Sequence, residues 1–518
     1  MWQAGAVHDR APQPTEEMML VKPPNTERYA EVERKFDVVD STVSPSFEGI
    51  AAVARVERPP AQTLDALYFD TPARDLVSNR VTLRRRTGGD DAGWHLKLPA
   101  GPDARTEVRA PLGATGDGGE VPSELLDVVL AIVRDRPLAP VARISTMRGV
   151  QMLYDNDGAA LAEFCDDQVT AWPEDRTGDG NAEQHWREWE LELADPDAAA
   201  GTGLLDRLSN RLLDAGAVPA QHGSKLARVL GTVENGSGDR PADPVHRAVA
   251  EQVDQLLVWD RAVRADTDDA VHQMRVAARK IRSLLQAAEE LGFCYDAWIL
   301  DELRELGSVL GTARDAEVLA ERYRRALDQL PPKLVRGRVR ERLVDGAERR
   351  YDAGLRRSLI AMRSQRYFRL LDALDSLVAV PAPTADGQAS AQPTVDTAYK
   401  RVRKAAKTAA HAGEEERDAA LHRIRKRTKR LRYTAAAVDA TKVSEQAKAI
   451  QTLLGDHQDS VVSREHLTQQ ADAAHTAGED TFTYGVLYQQ EADLADNCRR
   501  QLQPALRELK KAVRKARH

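Results

Sequence analysis

Apolar and ionic residues follow two different rhythms along the 518-residue chain. From Tyr29 to about Val229 they alternate with period 2 in short runs, the pattern of half-buried strands. Turn-rich stretches separate these runs: TGGDDAG (87–93), GATGDGG (113–119) and EDRTGDGN (174–181), as antiparallel hairpins require. From Val245 onward Ala, Leu, Arg and Glu recur at helical spacing. The stretch ENGSGDRPADP (234–244) reads as the linker between the two regimes, and VAVPAPTADGQASAQPT (378–394) as a flexible connection within the helical one. Residues 1–27 show no periodicity and are expected to form a disordered leader.

In the first half the ionic faces are the informative ones. YAEVERKFDV puts Glu31, Glu33 and Lys35 on one side of a strand; VTLRRRTG does the same for Arg84 and Arg86, and GWHLKLPA for His95 and Lys97. ARTEVRA aligns Arg105, Glu107 and Arg109, and HWREWELELAD aligns Glu188, Glu190 and Glu192 opposite Trp189, Leu191 and Leu193. Any one of these is what an ordinary solvated strand looks like. A solvated sheet, however, mixes signs between neighbours, whereas here one strand offers three carboxylates and others offer mainly cations. Such sorting suits a phosphate chain gripped by cations, with hard Mg2+ or Mn2+ ions on carboxylate oxygens.

The second half contains an internal repeat. VHQMRVAARKIR (271–282) aligns with LHRIRKRTKRLR (421–432), and VLGTARDAEVL (309–319) with LLGDHQDSVVS (453–463). At 100° per residue His272, Arg275, Arg279 and Arg282 fall within an arc of about 80°, repeated by His422, Arg425, Lys429 and Arg432. Val271, Met274, Ala278 and Ile281 form the adjoining apolar stripe, matched by Leu421, Ile424, Thr428 and Leu431. No acidic residue interrupts either basic stretch, although solvated helices usually interleave Glu with Lys. A polyanion completing the site accounts for that cost. Asp315 and Asp459, each shortly after Leu-Gly, are expected either to tether the basic side chains or to cap a following helix. Arg336, Arg338, Arg340, Lys400, Arg401, Arg403 and Lys404 are candidates for widening the basic surface.

Composition narrows the partners. With 74 Lys+Arg against 81 Asp+Glu the net charge is −7, so the basic stripes are local features of an acidic chain. Aromatics make up 5%, too few for base-stacking sheets, which disfavours nucleic acid. No apolar run reaches the roughly 18 residues of a membrane span, and the N-terminus lacks the pattern of a secretory signal, so a cytoplasmic protein without a membrane partner is expected. Cys165, Cys294 and Cys498 are odd in number and lack CxxC spacing, which favours neither a disulfide framework nor a thiolate zinc site.

The Glu31-x-Glu33-x-Lys35 opening, Tyr68-Phe69-Asp70-Thr71 followed by Arg84-x-Arg86, the Lys97 strand, the Glu188-x-Glu190-x-Glu192 strand and the Ser224-Lys225-Leu226-Ala227 close resemble CYTH domains, the triphosphate tunnel metalloenzymes. The resemblance runs from about 28 to 232. It implies an eight-stranded antiparallel barrel with a polar lumen, helices on its apolar outer faces, and a triphosphate in the lumen that is hydrolysed or, for ATP, cyclised. Carried over by position, it makes Glu31, Glu33, Glu163, Glu188, Glu190 and Glu192 metal-binding. Lys35, Arg84 and Arg86 become the catalytic phosphate contacts, and Lys97, Arg109 and Arg143 further phosphate binders. Lys225, at the end of this region's last helix, is a weaker match.

The repeats, over about 245–512, look like a CHAD domain, a histidine-bearing helical module that binds inorganic polyphosphate. This implies two pseudo-symmetric four-helix bundles with a basic channel between them, formed by the two four-residue stripes. Asp456-His457-Gln458-Asp459 where the first repeat has Thr312-Ala313-Arg314-Asp315 departs from equivalence. The expectation is an α+β chain: leader 1–27, barrel 28–232, linker 233–244, helical domain 245–512. Its function would be metal-dependent hydrolysis of inorganic triphosphate, polyphosphate or another triphosphate-containing small molecule. Polyphosphate retention, or targeting to polyphosphate granules, without turnover is the alternative.

Overall fold

The computed structural model describes residues 27–101, 103–113, 120–174, 183–195, 201–231, 244–290, 296–379, 395–436 and 440–516. The expected leader up to residue 26, nearly all of both linkers, most of two of the turn stretches and Cys294 lie outside the described residues. The chain divides into two compact units that part after Asp239.

The first unit is built on β1 (Glu27–Val38), β2 (Arg55–Glu57), β3 (Gln62–Asp70), β4 (Thr82–Thr87), β5 (Gly93–Pro99), β6 (Ala104–Ala110), β7 (Ala139–Tyr154), β8 (Ala160–Pro173), β9 (Gln184–Leu193) and β10 (Val218–Pro219). Every pairing is antiparallel. The order β1-β6-β5-β4-β3-β7-β8-β9 closes through β9 onto β1, giving the expected eight-stranded barrel; β2 and β10 are short additions outside the ring. Period-2 patterning sends one side of each strand inward and the other into a coat of helices.

Of those helices, α1 (Asp75–Ser78) and α2 (Ser123–Val133) cover one flank, where Leu125, Val129 and Ile132 pack on Leu83, Trp94, Leu96 and Val108. On another flank α3 (Gly201–Asp214) presses Leu204, Leu205, Leu208 and Leu212 onto Phe36, Phe164, Trp189 and Leu191. Each such leucine contributes about 1.5–3 kcal/mol by burial. The five-residue α4 (Lys225–Val229) goes to the interior: Leu226, Ala227 and Val229 pack with Ala66, Ala142, Ile144, Val169 and Ala171. Ser224 caps it by accepting the Ala227 N–H at 3.1 Å. One end of the barrel is therefore filled by apolar side chains, and the polar lumen occupies the rest.

The second unit holds nine α-helices among the described residues: α5 (Pro244–Arg264), α6 (Ala270–Glu290), α7 (Ala297–Gln329), α8 (Gly346–Ala361), α9 (Gln365–Ala379), α10 (Val395–Ala409), α11 (Glu414–Ala436), α12 (Thr441–Thr476) and α13 (Phe482–Lys515). In the first repeat α5, α6, α7 and α8 pack in succession and α9 returns to α5; in the second, α10 to α13 do the same and α13 alone returns to α10. The fourth member of the first bundle is thus split around residues 362–364. The Ser364 hydroxyl accepts the Tyr367 N–H at 3.2 Å and restarts the chain as α9. The repeats meet where the C-terminal part of α7 packs on the C-terminal part of α12 and the start of α13, through Tyr323 and Leu327 with Leu467, Tyr484 and Leu487.

Candidate functional site

Closure of the barrel decides how the ionic faces meet. Acid-bearing β8, β9 and β1 are consecutive around the ring, and cation-bearing β6, β5 and β4 follow on the other side of β1. Register stacks the acids in rows: Glu33 stands opposite Glu192 and Glu192 opposite Glu163, while Glu188 stands opposite Asp167. Facing residues on adjacent strands bring their Cβ atoms within about 4.5–5.5 Å, so each row is a cluster. The enclosed cavity measures about 270 Å³, with Arg84, Arg86, Lys97, Arg105, Arg109 and Arg148 on its cationic side.

The two acidic rows differ in what neutralises them. In the deeper row Asp167, Glu188 and Glu190 bring an oxygen each within 4.8 Å of one another, a spacing compatible with a divalent cation. The Lys225 ammonium sits among them, 2.9, 2.7 and 2.8 Å from the three carboxylates. Arg148 adds contacts of 2.6 Å to Asp167 and 2.5 Å to Glu190. Against the cost of burial, Lys225, Lys35 and Arg148 hold Glu190 far below the usual carboxylate range. The outer row is leaner. Burial would raise Glu33, but Lys35 and Lys97 hold it at about 2. Glu192 has no hydrogen-bond or ion-pair partner among the described residues. Burial pushes its carboxyl up to about 7 against the pull of Lys97, and Glu31, Glu33 and Glu163 add to the rise. Glu31 is engaged by Lys97 at 2.6 Å. Glu31 and Glu33 are each paired to two cations, but Glu163 and Glu192 have no cation partner among the described residues, so this set keeps free carboxylate oxygens of the kind a hard cation takes, whereas the deeper triad already holds the Lys225 ammonium.

On the cationic side Arg84 donates to the Tyr68 hydroxyl at 3.3 Å, and Arg86 pairs with Asp91. Burial, reinforced by Arg84 and Arg148, pulls the Arg86 guanidinium down to about 9. Excess positive potential of this kind is relieved by an anion. His95 is fully enclosed between Glu107, at 2.9 Å, and the Asp91 carbonyl, and burial brings it down to about 4.

In the helical unit the two basic stripes come together. Burial lowers the Lys429 amine to about 8, helped by Arg279 and Arg282 of the other repeat and by Arg425 and Arg432 of its own. Arg275 reaches Asp315 at 3.2 Å. Both Leu-Gly steps serve these arginines: a Cβ on Gly311 would stand 3.3 Å from the Arg275 guanidinium, and one on Gly455 would stand 3.4 Å from that of Arg425. Each glycine lets a guanidinium lie flat across its helix.

Comparison with known proteins fits this geometry. A CYTH domain model matches residues 30–216, and a CHAD domain model matches residues 247–468. The chain belongs to the CYTH–CHAD proteins. It is 69% identical over 514 residues to the uncharacterized proteins Rv2226 and MT2285 of two Mycobacterium tuberculosis strains, covering 96% of this chain and 100% of each relative. Among solved structures, the CHAD domain of the plant Ricinus communis is 25% identical with a TM-score of 0.41, covering 51% of this chain and 90% of that one. PptA from Streptomyces chartreusis is 20% identical with a TM-score of 0.42, covering 51% and 98%. The PH1819 protein of Pyrococcus horikoshii is 17% identical with a TM-score of 0.24, covering 39% and 98%.

Most of the expected CYTH residues converge on the lumen: Glu31, Glu33, Lys35, Arg84, Arg86, Lys97, Arg109, Glu163, Glu190, Glu192 and Lys225 line one cavity, and Glu188 joins them through Lys225. Arg143 does not. Its side chain is 56% exposed on the outer face, paired with Asp65 and lying over Trp172. Arg148, five positions on and hence on the opposite face, is the lumen arginine of that strand. Lys225 opens α4 rather than ending a helix. Sequence reasoning also missed Asp167 and left Arg105, though seen on the right face, out of the site.

In the CHAD unit His272 lies beside Arg314, Asp269 and Arg279 and His422 beside Lys426 and Arg425; burial lowers both imidazoles. Asp315 and Asp459 fall mid-helix in α7 and α12, so neither caps a helix. Asp459 is pushed up by burial against Arg322 and Arg425, with Asp456 and Asp315 nearby. His457, in the place of Ala313, is buried with Nε2 3.7 Å from Asp418. Arg338 and Arg340 are tied to Glu341 and Asp328, and Arg336 lies over Phe482. Lys400, Arg401, Arg403 and Lys404 are exposed on α10. Among the described residues no helix is long and apolar enough to cross a membrane.

Proposed function

We propose that the CYTH barrel is a divalent-metal-dependent phosphoanhydride hydrolase acting on a triphosphate or a polyphosphate end, and that the CHAD unit holds inorganic polyphosphate. CYTH domains fit the triphosphate tunnel metalloenzymes, whose members are triphosphatases or cyclases. The observation that carries the reading is the opposition, within one 270 Å³ cavity, of the Glu33–Glu192–Glu163 row to a cationic wall.

Glu31, Glu33, Glu163 and Glu192 would hold Mg2+ or Mn2+. Bound there, the ion would offset phosphate charge and acidify a water for attack on phosphorus. The chain's own residues do the rest. Arg84, Arg86 and Arg109 fork onto the non-bridging oxygens, where charge spreads in the transition state. Tyr68 fixes Arg84, and the His95–Glu107 pair braces the same wall, so the donors are set before the substrate arrives. Lys35, 2.8 Å from Glu33 and 2.5 Å from Glu190, sits between the acidic rows and is placed to contact the reacting phosphate.

Binding without turnover is the second reading. It is favoured by Lys225, which occupies the Asp167–Glu188–Glu190 cluster with its own ammonium. Phosphate release from inorganic triphosphate, ATP and long-chain polyphosphate with Mg2+ or Mn2+, compared with Glu33→Ala, separates the two. Release that the substitution abolishes establishes the hydrolase. Tight polyphosphate binding with no release makes the barrel a recognition module.

A further inference from the structure

The two repeats of the helical unit share the channel stripe, but only the second carries a further set of cations. On α11 Arg423, Lys426 and Arg427 fall within an arc of about 100°, centred about 130° away from the His422–Arg432 stripe, and all three are exposed. The matching positions of α6 hold Gln273, Val276 and Ala277, the last of them buried. Neither folding a bundle of this kind nor lining the channel therefore requires a cation there.

The channel stripe of α11 lies toward α12, where Arg425 crosses Gly455 and Arg432 donates to Gln451 at 3.1 Å. Its other exposed side therefore borders α10, which packs on α11 through Ala398, Val402, Leu421 and Ile424. From α10, Lys400, Arg403, Lys404 and Lys407 point outward within a second arc of about 100°. The counterpart α5 instead mixes Glu251, Asp254 and Asp260 with Arg261 and Arg264. No acidic residue occurs in 397–413 or 419–436, so i,i+4 pairing with a carboxylate is ruled out within either stretch. Among the described residues none of these α10 and α11 cations has an ion-pair partner. Like charges on two adjacent helices repel one another, a cost that an external anion removes.

Shape narrows the choice of anion. A polyphosphate chain is a single file of charge, best held between cations that face each other, as they do in the channel. This face is open and has two rows, one per helix, about 8–10 Å apart. Lipid-bound helices set large apolar side chains against the acyl boundary, whereas on α10 and α11 Tyr433 is the one exposed large apolar side chain among the described residues. Duplex DNA presents two rows of phosphates bordering a groove about 6 Å wide. Contact with that backbone needs no aromatic platform, so the scarcity of aromatics does not count against it.

We propose that the outer face of α10 and α11 docks the phosphate backbone of duplex DNA, at a site separate from the channel. The full chain is titrated with a short fluorescent DNA duplex of arbitrary sequence and, in parallel, with long-chain polyphosphate, each across a salt series. The triple substitution Lys407→Gln, Arg423→Gln and Arg427→Ala gives α11 the residues that the first repeat already carries at those positions. It is expected to lower DNA affinity at least about tenfold and to make the salt dependence shallower by about 0.9 logarithmic units for each cation that met a phosphate. Polyphosphate affinity should stay within about twofold, because those side chains point away from the channel. Arg275→Glu with Arg425→Glu should do the reverse, losing polyphosphate and keeping DNA. The assignment is overturned if the native protein does not bind DNA at physiological salt, or if the triple substitution leaves DNA binding unchanged. Equal loss of polyphosphate and DNA in the triple variant would make the face an extension of the channel, and tighter binding to phosphatidylserine vesicles than to DNA would make it a membrane contact; either result overturns the DNA site.

Discussion

The barrel and the helical unit both gather positive charge, but they neutralise it differently. In the barrel nearly every lumen cation meets a carboxylate: Lys35, Lys97, Arg105, Arg148 and Lys225 all lie within 4 Å of one or more. On the helical face Arg279, Arg282, Arg425 and Lys429 have no ion-pair partner among the described residues, and burial, helped by like-charged neighbours, lowers the amine of Lys429. A charge-balanced cavity discriminates by shape and by exchange of partners. An unbalanced face attracts any polyanion through its field, and salt weakens that attraction.

The largest effect should come from breaking the barrel's balance. Glu33→Ala or Glu190→Ala is expected to cut metal-dependent phosphate release by at least about a hundredfold while leaving polyphosphate retention intact. Phosphate release and polyphosphate pull-down on the same preparations check this; joint loss of both activities would mean misfolding. Next, Arg275→Glu with Arg425→Glu should weaken polyphosphate binding by at least about a hundredfold, since each of the two charge-assisted bonds is worth roughly 1.5–3 kcal/mol, and leave turnover of inorganic triphosphate unchanged. Binding that survives the double change at physiological salt would sink the helical site.

A finer cut concerns the glycines. Gly311→Ala and Gly455→Ala each place a Cβ at 3.3 or 3.4 Å from a guanidinium that can swing aside. Helix propensity should then raise stability by up to about 1 kcal/mol per site, while polyphosphate affinity falls severalfold. Thermal unfolding and titration calorimetry together test this opposite movement.

The smallest predicted effect is protonic. With Lys429 at about 8 when folded and about 10.4 when unfolded, the cost of its buried charge is fully present below pH 8 and is relieved as pH rises toward 10.4. A bound polyanion favours the charged amine, so polyphosphate should bind with proton uptake between about pH 8 and 10 and weaken as pH rises through 8. Calorimetry in buffers of different ionisation enthalpy reads that uptake, and Lys429→Arg should remove it.

Arg143 shows where reading along the strand gives out. Near α4 the barrel interior is apolar, filled by Ala66, Ala142, Ile144, Val169 and Ala171, so the rule that the ionic side faces the lumen inverts at that end. Arg143 therefore points outward, and the lumen residues Arg148 and Asp167 carry no motif to mark them.

The sequence by itself determined which residues share a face, because periods of 2 and 3.6 are properties of the local backbone. That was enough for Glu31 with Glu33 and Lys35, for the Glu188–Glu192 strand, and for both basic stripes. Which faces confront each other depends on ring closure and register across more than 150 residues, as when Glu33 meets Glu192 and Lys35 meets Glu190. Local pattern carries no information about such distant pairing. Tertiary structure alone therefore placed the acids opposite the cations, set Lys225 among three carboxylates, and turned Arg143 out and Arg148 in.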